Sequence, residues 1–503
     1  MKKFYITTPI YYVNDAPHIG HAYTSIAADI IARFKKMDNF DVLFVTGTDE
    51  HGQKVEKSAI AAGKTPQEFV DMNSEKFTKL MHRMNVDHDI FIRTTQESHV
   101  LAAQALWKKL EENGDIYLGK YSGWYAIRDE AFYDESEIID GKAPTGAPVE
   151  WVEEPSYFFR LSKYEEPLLE YFKENTDAIG PEGRRNEVLS FIKGGLKDLS
   201  VSRTTFSWGI PVPGDEKHIM YVWLDALTNY ITAAGYPGNM RFWPASLHLV
   251  GKDILRFHCV YWPAFLMSAG IPLPERIFAH GWWTIEGEKM SKSLGNAVDP
   301  IALSEEFKVD AIRFFLAREV SFGNDGDFSR EALKRRINSD LANAWGNLVH
   351  RVLSFAEKNL DNPSALIFSF NEEDREFTDL SKDLLPKLRE HIDQQMLHRY
   401  LDTIFDVIYA ANRYVDVQKP WELKKTDTAR MVTVLTALMI VIRNIAICLR
   451  PVMPVSSNEV LAHLCATPDF SFERLKDPLG NPAFLDKNLV GLIPITPLFQ
   501  RVE

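Results

Sequence analysis

Apolar and polar positions follow two alternating rhythms through the first third of the chain. Short apolar runs, FYIT at 4–7 and DVLFVTG at 41–47, have strand length, and between them Ile26, Ile30, Ile31 and Phe34 recur at helical spacing. Helical periods continue near residues 52–85. This order predicts βα units of a parallel sheet. The rhythm returns as IMYVWLD at 219–225, LHLVG at 247–251 and RIFAHG at 276–281. Between roughly 116 and 210 it gives way to aromatic, turn-rich sequence, which predicts an inserted domain. From about 336 onward amphipathic stretches near 336–360, 374–393, 395–417 and 428–450 predict a helical bundle.

Each predicted strand leads directly into chemically loaded sequence: Asn14 to His21, Gly47 to Gly52, Trp223-Leu224-Asp225, Gly251-Lys252-Asp253 and His280-Gly281. In an open α/β sheet, ligands lie beyond the carboxyl ends of the strands, so these segments are expected to meet at one crevice. Two of the motifs suit a polyphosphate. His18 and His21 flank Gly20 where a strand turns into a helix, so both imidazoles can face the helix N-terminus. Far downstream, Lys289 and Lys292 flank Ser291 between Gly287 and Gly295, a loop able to bring cations onto phosphates. Other nucleotide signatures fail. There is no GxGxxG, and Gly47 to Lys54 misses the P-loop pattern because Gln53 stands at the lysine position.

Composition narrows the partners. The 45% apolar and 25% charged fractions are those of an ordinary globular protein, and no apolar run reaches the ~20 residues of a bilayer span, so no membrane is expected. Cys259, Cys448 and Cys465 form no CxxC pair, which fits a reducing, cytoplasmic setting. The net charge of -13 requires any nucleic-acid contact to use local basic patches, such as Lys334-Arg335-Arg336 or Lys419, Lys424 and Lys425 around Trp421. Asn343, Asn347 and Arg351, spaced by four, share one helix face.

The paired histidines and the KMSKS run at 289–293 resemble the two signatures of class I aminoacyl-tRNA synthetases. PIYYVNDAPHIGH at 9–21, TGTDEHG at 46–52, YVWLDAL at 221–227, GKDILRFH at 251–258 and VQKPW at 417–421 narrow the resemblance to methionyl-tRNA synthetases, over essentially the whole chain. The resemblance implies an α/β fold: a Rossmann-like parallel-sheet catalytic domain in two halves (1–115 and 211–275) around an inserted connective domain (116–210). A KMSKS and stem-contact region (276–335) and an all-α helical-bundle anticodon-binding domain (336–503) follow.

The same resemblance implies the site. Ile10, Tyr12, Trp223, Leu227, Tyr230, Ile254, Phe257 and His258 line a methionine pocket, with Asp49 on the ammonium group. His18, Gly20, His21, Gly251, Asp253, Lys289 and Lys292 bind ATP with its Mg2+, and His18, His21, Lys289 and Lys292 are catalytic. Asn347, Arg351, Pro420 and Trp421 contact the anticodon of methionine tRNA, with initiator and elongator tRNA both as partners. Soft, polarizable sulfur gains from such aromatic neighbours.

The chain departs from the family at its knuckle. Where many members carry four zinc-binding cysteines, Ala126, Asp129, Ala143 and Gly146 stand here, so no zinc and no other resident metal is expected. The insert, at roughly 95 residues, is short for a separate editing domain. No dimerising appendage follows the bundle, which favours a monomer. The alternatives are another class I synthetase or a non-catalytic tRNA-binding relative, and intact histidine and lysine signatures argue against the latter.

Overall fold

The computed structural model describes residues 1–14, 16–129, 131–133, 135–289, 297–360, 369–464, 471–476 and 496–503. The chain divides into two compact units, one of Lys3–Ala28 and Val42–Trp282, the other of Met1–Lys2, Asp29–Asp41 and Trp283–Glu503.

The first unit is built on a six-stranded sheet in the order Ile90–Arg93, Phe40–Asp49, Lys2–Tyr12, Leu247–Gly251, Ile277–His280, Ile179–Gly180. Four of its pairings have a described register and all four run parallel, for example Ile6 opposite Leu247 and His248 opposite Ile277. The long first strand lies at the sheet centre, between two of its neighbours. Fully buried Trp107, Trp262, Tyr230, Phe159 and Phe265 fill the space under the sheet. Gly47 is required by the sheet itself: a Cβ there would stand 2.0 Å from the Ile92 carbonyl oxygen of the neighbouring strand.

Two expectations change here. IMYVWLD is no strand of the parallel sheet: the strand Asp215–Met220 pairs antiparallel with Ser202–Arg203 and Pro211–Val212, and Val222 already begins the helix Val222–Ala234. Hydropathy could not separate them, because that helix is apolar nearly all round and its opening turn continues the strand's apolar run. The stretch 116–210 also returns a strand to the main sheet, Ile179–Gly180 alongside Ile277–His280. The antiparallel sheet of Ala131–Tyr133, Ile116–Ala126, Glu150–Phe159 and Leu199–Ser200 lies in that stretch too.

The second unit is mainly helical. Arg330–Arg336 continues through a π-helical segment, Ile337–Gly346, into Asn347–Asn359, and Glu372–Lys382, Leu384–Asp393, Leu397–Gln418, Pro420–Thr426 and Thr428–Leu449 follow. Contrary to the sequence reading, Thr428–Leu449 is long and apolar enough to cross a membrane, with mean hydropathy 2.3 over its most apolar window. Of that window 94% is buried inside the protein, the behaviour of a bundle's central helix.

Candidate functional site

The histidine signature sits at the start of the helix Ile19–Met37, immediately beyond the central strand. The Gly20 N–H donates to His18 Nδ1 at 3.1 Å, and the His18 N–H donates to His21 Nδ1 at 3.1 Å. A ring nitrogen that accepts carries no proton, so both imidazoles are neutral with the proton on Nε2. The rings lie 3.8 Å apart at a 31° tilt, and His21 packs edge-on against Tyr11 and Phe77. The backbone thus makes a pair of oriented Nε2 donors.

His280, at the end of its strand, reaches the same helix. Its Nδ1 donates to the Gly281 carbonyl at 2.8 Å and its Nε2 lies 2.8 Å from Thr24 Oγ1. Burial pulls its pKa below the usual histidine value, so the neutral ring fits this arrangement. Gly251 and Asp253 follow the strand Leu247–Gly251, with Asp253 exposed on a short 3-10 turn.

Of the lysine loop, only the backbone of Lys289 is described, in the strand Glu288–Lys289. Lys292 lies outside the described residues.

The residues expected to line a methionine pocket come from several elements. Trp223, in the first turn of Val222–Ala234, stacks on Phe257 with centroids 3.8 Å apart and planes 5° from parallel. Phe257 opens a π-helical turn, Phe257–Tyr261, which turns His258 into the core. The Ile254 carbonyl accepts from His258 Nδ1 at 2.9 Å, which leaves Nε2 to accept the Tyr230 hydroxyl at 2.7 Å. Burial drives His258 down to about 4, only partly opposed by the Ile254 carbonyl and the Asp253 charge. Leu227 and Tyr230 belong to the buried core, and Ile10, Tyr12, Ile254, Phe257 and Trp223 are half-buried against it. The Trp223 indole N–H finds no acceptor among the described residues. The wall is therefore aromatic and uncharged.

The three ionisable residues of TGTDEHG diverge. Glu50 accepts from Arg93 at 2.7 and 3.0 Å, while His51 Nδ1 meets Asp225 Oδ2 at 2.6 Å. Asp49 is buried at the strand end, where its charge adds to burial in raising the Tyr230 phenol. Asp225 also receives His99 Nε2 at 2.7 Å. Burial opposes its charge, yet the two imidazoles hold its pKa down at about 2. Sequence reasoning did not select His99, nor Arg203, a buried guanidinium 4.8 Å over the Tyr221 ring and 5.4 Å over Tyr125. Asp225 and His51 were visible inside motifs; His99 carried no local signal.

On the second unit, Arg351, Pro420 and Trp421 come together with Val352, Phe355, Val415 and Leu435 around a cavity of about 220 Å³. Lys419 takes a left-handed conformation (φ 45°), which turns the chain so that Pro420 starts the next helix with Trp421 40% exposed. Arg351 lies 5.7 Å from the Trp421 ring and pairs with Asp416 at 2.9 Å. Asn347 is exposed on the neighbouring helix but does not line the cavity, and Asn343 accepts two bonds from Arg501. Of the basic runs, Arg336 is engaged by Glu319 and Asp340, whereas Lys424 and Lys425 are exposed beside Trp421.

The knuckle positions do not fit zinc. Ala126 and Ala143 pack with Ala147 in a small apolar cluster, and Asp129 accepts from Tyr133 at 3.0 Å, from Thr145 and from Arg128 at 3.2 Å. Hydrogen bonds to Asp129 hold the loop where thiolates would bind a metal. Among the described residues, no group of three or more His, Cys, Asp or Glu is placed to hold an ion.

A parallel sheet with paired histidines at its central strand end belongs with the class I synthetases, and the family model "tRNA synthetases class I (M)" matches residues 4–148 and 145–353. A methionine–tRNA ligase of Rickettsia conorii is 57% identical over 92% of each chain, and one of Brucella suis is 50% identical over 100% of this chain and 99% of its own. The solved methionyl-tRNA synthetase of Mycobacterium tuberculosis in complex with methionyl-adenylate is 49% identical, with TM-score 0.95 over 100% of both chains. The chain belongs to the methionyl-tRNA synthetases, the class I methionine–tRNA ligases.

Proposed function

We propose that methionine is activated and transferred on this chain by two separate sets of residues. In the first step a methionine carboxylate oxygen attacks the α-phosphorus of ATP, pyrophosphate leaves, and methionyl-adenylate forms. A terminal ribose hydroxyl of methionine tRNA then attacks the acyl carbon, releasing AMP. Neither step needs a protein nucleophile, so catalysis is positioning and charge stabilisation. His18 and His21 present Nε2–H donors to the phosphates, Gly20 admits the nucleotide close to the backbone, and Lys289 and Lys292 supply the cations. Mg2+ arrives with ATP as part of the substrate. Gly251 and Asp253 hold the ribose.

Methionine lies against Ile10, Tyr12, Trp223, Leu227, Tyr230, Ile254, Phe257 and His258, with its ammonium on Asp49. The neutral His258, locked between Ile254 and Tyr230 beside the Trp223–Phe257 stack, carries this reading. An uncharged, polarizable wall suits a thioether, and a buried cation would not. The methionyl-adenylate in the solved M. tuberculosis relative supports the same assignment.

Arg351, Pro420 and Trp421, with Asn347 nearby, take an unstacked anticodon base of initiator or elongator tRNA, and Trp421 provides the stacking surface. We assign 1–115 and 211–275 to catalysis, 116–210 to the connective insert, 276–335 to the stem-contact region and 336–503 to the anticodon. A cytoplasmic monomer without zinc fits this arrangement. Amino-acid-dependent ATP–pyrophosphate exchange with methionine, leucine and cysteine tests the reading. Exchange with methionine alone is expected, and equal exchange with leucine or cysteine would overturn it.

A further inference from the structure

Two residues of the Gly251-Lys252-Asp253 segment meet one side chain from elsewhere in the chain. The Trp282 indole Nε1–H donates to Asp253 Oδ1 at 3.1 Å, and Lys252 Nζ stands 4.3 Å over the Trp282 ring. Gly251 completes the arrangement: a Cβ there would lie 2.6 Å from Asp253 Oδ1, displacing the carboxylate from the indole. Trp282 itself is 42% exposed, an unusual place to keep an indole beside a nucleotide-binding segment unless it has a partner to hold.

An exposed aspartate on a single 3-10 turn has no packing to fix its carboxylate plane. The indole N–H gives it one orientation by engaging Oδ1, and the ammonium over the ring restrains the indole in turn. We infer that Trp282 is a positioning residue for ATP: it fixes the Asp253 carboxylate so that the other oxygen is presented to the ribose hydroxyls. This rests on the assignment of Asp253 to the ribose. It adds a residue 29 positions away that none of the sequence motifs includes.

The test is Trp282→Phe, which keeps an aromatic ring for Lys252 and removes the N–H with the rest of the five-membered ring. In methionine-dependent pyrophosphate exchange, KM for ATP is expected to rise about tenfold, the effect of losing one charge-assisted hydrogen bond. KM for methionine should stay unchanged. With 2′-deoxy-ATP and 3′-deoxy-ATP the rise should be smaller than with ATP, because the positioned carboxylate has one hydroxyl fewer to meet. An equal rise for ATP and both deoxy analogues would make Trp282 a contact surface and overturn the inference, as would an unchanged KM for ATP.

Asp253→Ala separates the two readings. If it abolishes the preference for ATP over the deoxy analogues while Trp282→Phe leaves that preference intact, the inference fails and the ribose assignment stands. If Asp253→Ala leaves the preference intact, the ribose assignment fails, and the inference falls with it.

Discussion

The wall around His258 and the Trp421 cavity both present an indole ring, but they are finished in opposite ways. Around His258 the ring nitrogens are both engaged and the histidine is 1% exposed. Around Trp421 the indole is 40% exposed, and Arg351, 5.7 Å from the ring, has its charge matched by Asp416. A pocket for one small, soft side chain gains from being preformed and dry, since discrimination there rests on shape and on the absence of charge. A surface for a nucleotide base can stay open, because the base brings its own flat face and buries the ring only on binding. Under the proposed function, amino-acid choice falls to the first unit and tRNA choice to the second.

Breaking the phosphate side should give the largest effect. Lys292→Ala is expected to slow adenylate formation by about 100-fold or more, as for removal of a well-placed charge-stabilising donor worth ~3 kcal/mol. Methionine affinity, measured separately by equilibrium binding, should hardly move, and equal losses in both would deny the lysine a transition-state role.

The buried wall comes next. Tyr230→Phe strands the His258 acceptor, at a cost of ~1–3 kcal/mol, so KM for methionine should rise about 5- to 100-fold while charging kinetics in tRNA concentration stay the same. A change in KM for tRNA instead would erase the separation.

Acid provides a milder probe. His258 and His248 both sit below the ordinary histidine value because burial disfavours their charge. As pH falls from about 6.5 toward 4, the unfolded chain therefore takes up protons that the folded chain refuses, and stability declines across that window. Asp225, held down at about 2, adds a second loss below its ordinary value of 3.8. Methionine affinity should be level from pH 8 to 5 and fall only near 4; a titration centred near 6.5 would mean His258 is not locked neutral.

The smallest effect belongs to the knuckle. Asp129→Ala should destabilise it by roughly 1–3 kcal/mol through lost hydrogen bonds, seen as faster local hydrogen exchange, and zinc added to the parent protein should not change that exchange.

Much of this was legible in the sequence because the chemistry is contiguous with strand ends: Asp49 closes one strand, Gly251 and Asp253 close another, and His18 to His21 follow the first. What was hidden depends on distance or on backbone detail. The neutrality of His18 and His21 follows from two N–H donors that only the folded helix start supplies. Asp225 lies 174 residues from His51 and 126 from His99, and no spacing rule links them. Val222 to Asp225 read as part of a strand because hydrophobicity alone cannot tell a buried strand from the first turn of a buried helix. Asn343 matched Asn347 and Arg351 in spacing, yet the last residues of the chain claim it through Arg501.

The separation of the two regions is tested most directly by Trp421→Ala assayed twice, for methionine-dependent ATP–pyrophosphate exchange and for charging of methionine tRNA. With stacking worth ~1–3 kcal/mol, charging at low tRNA concentration should fall by about 5- to 150-fold while exchange stays at the parental rate. Unchanged charging, or a parallel fall in exchange, would contradict the division of labour.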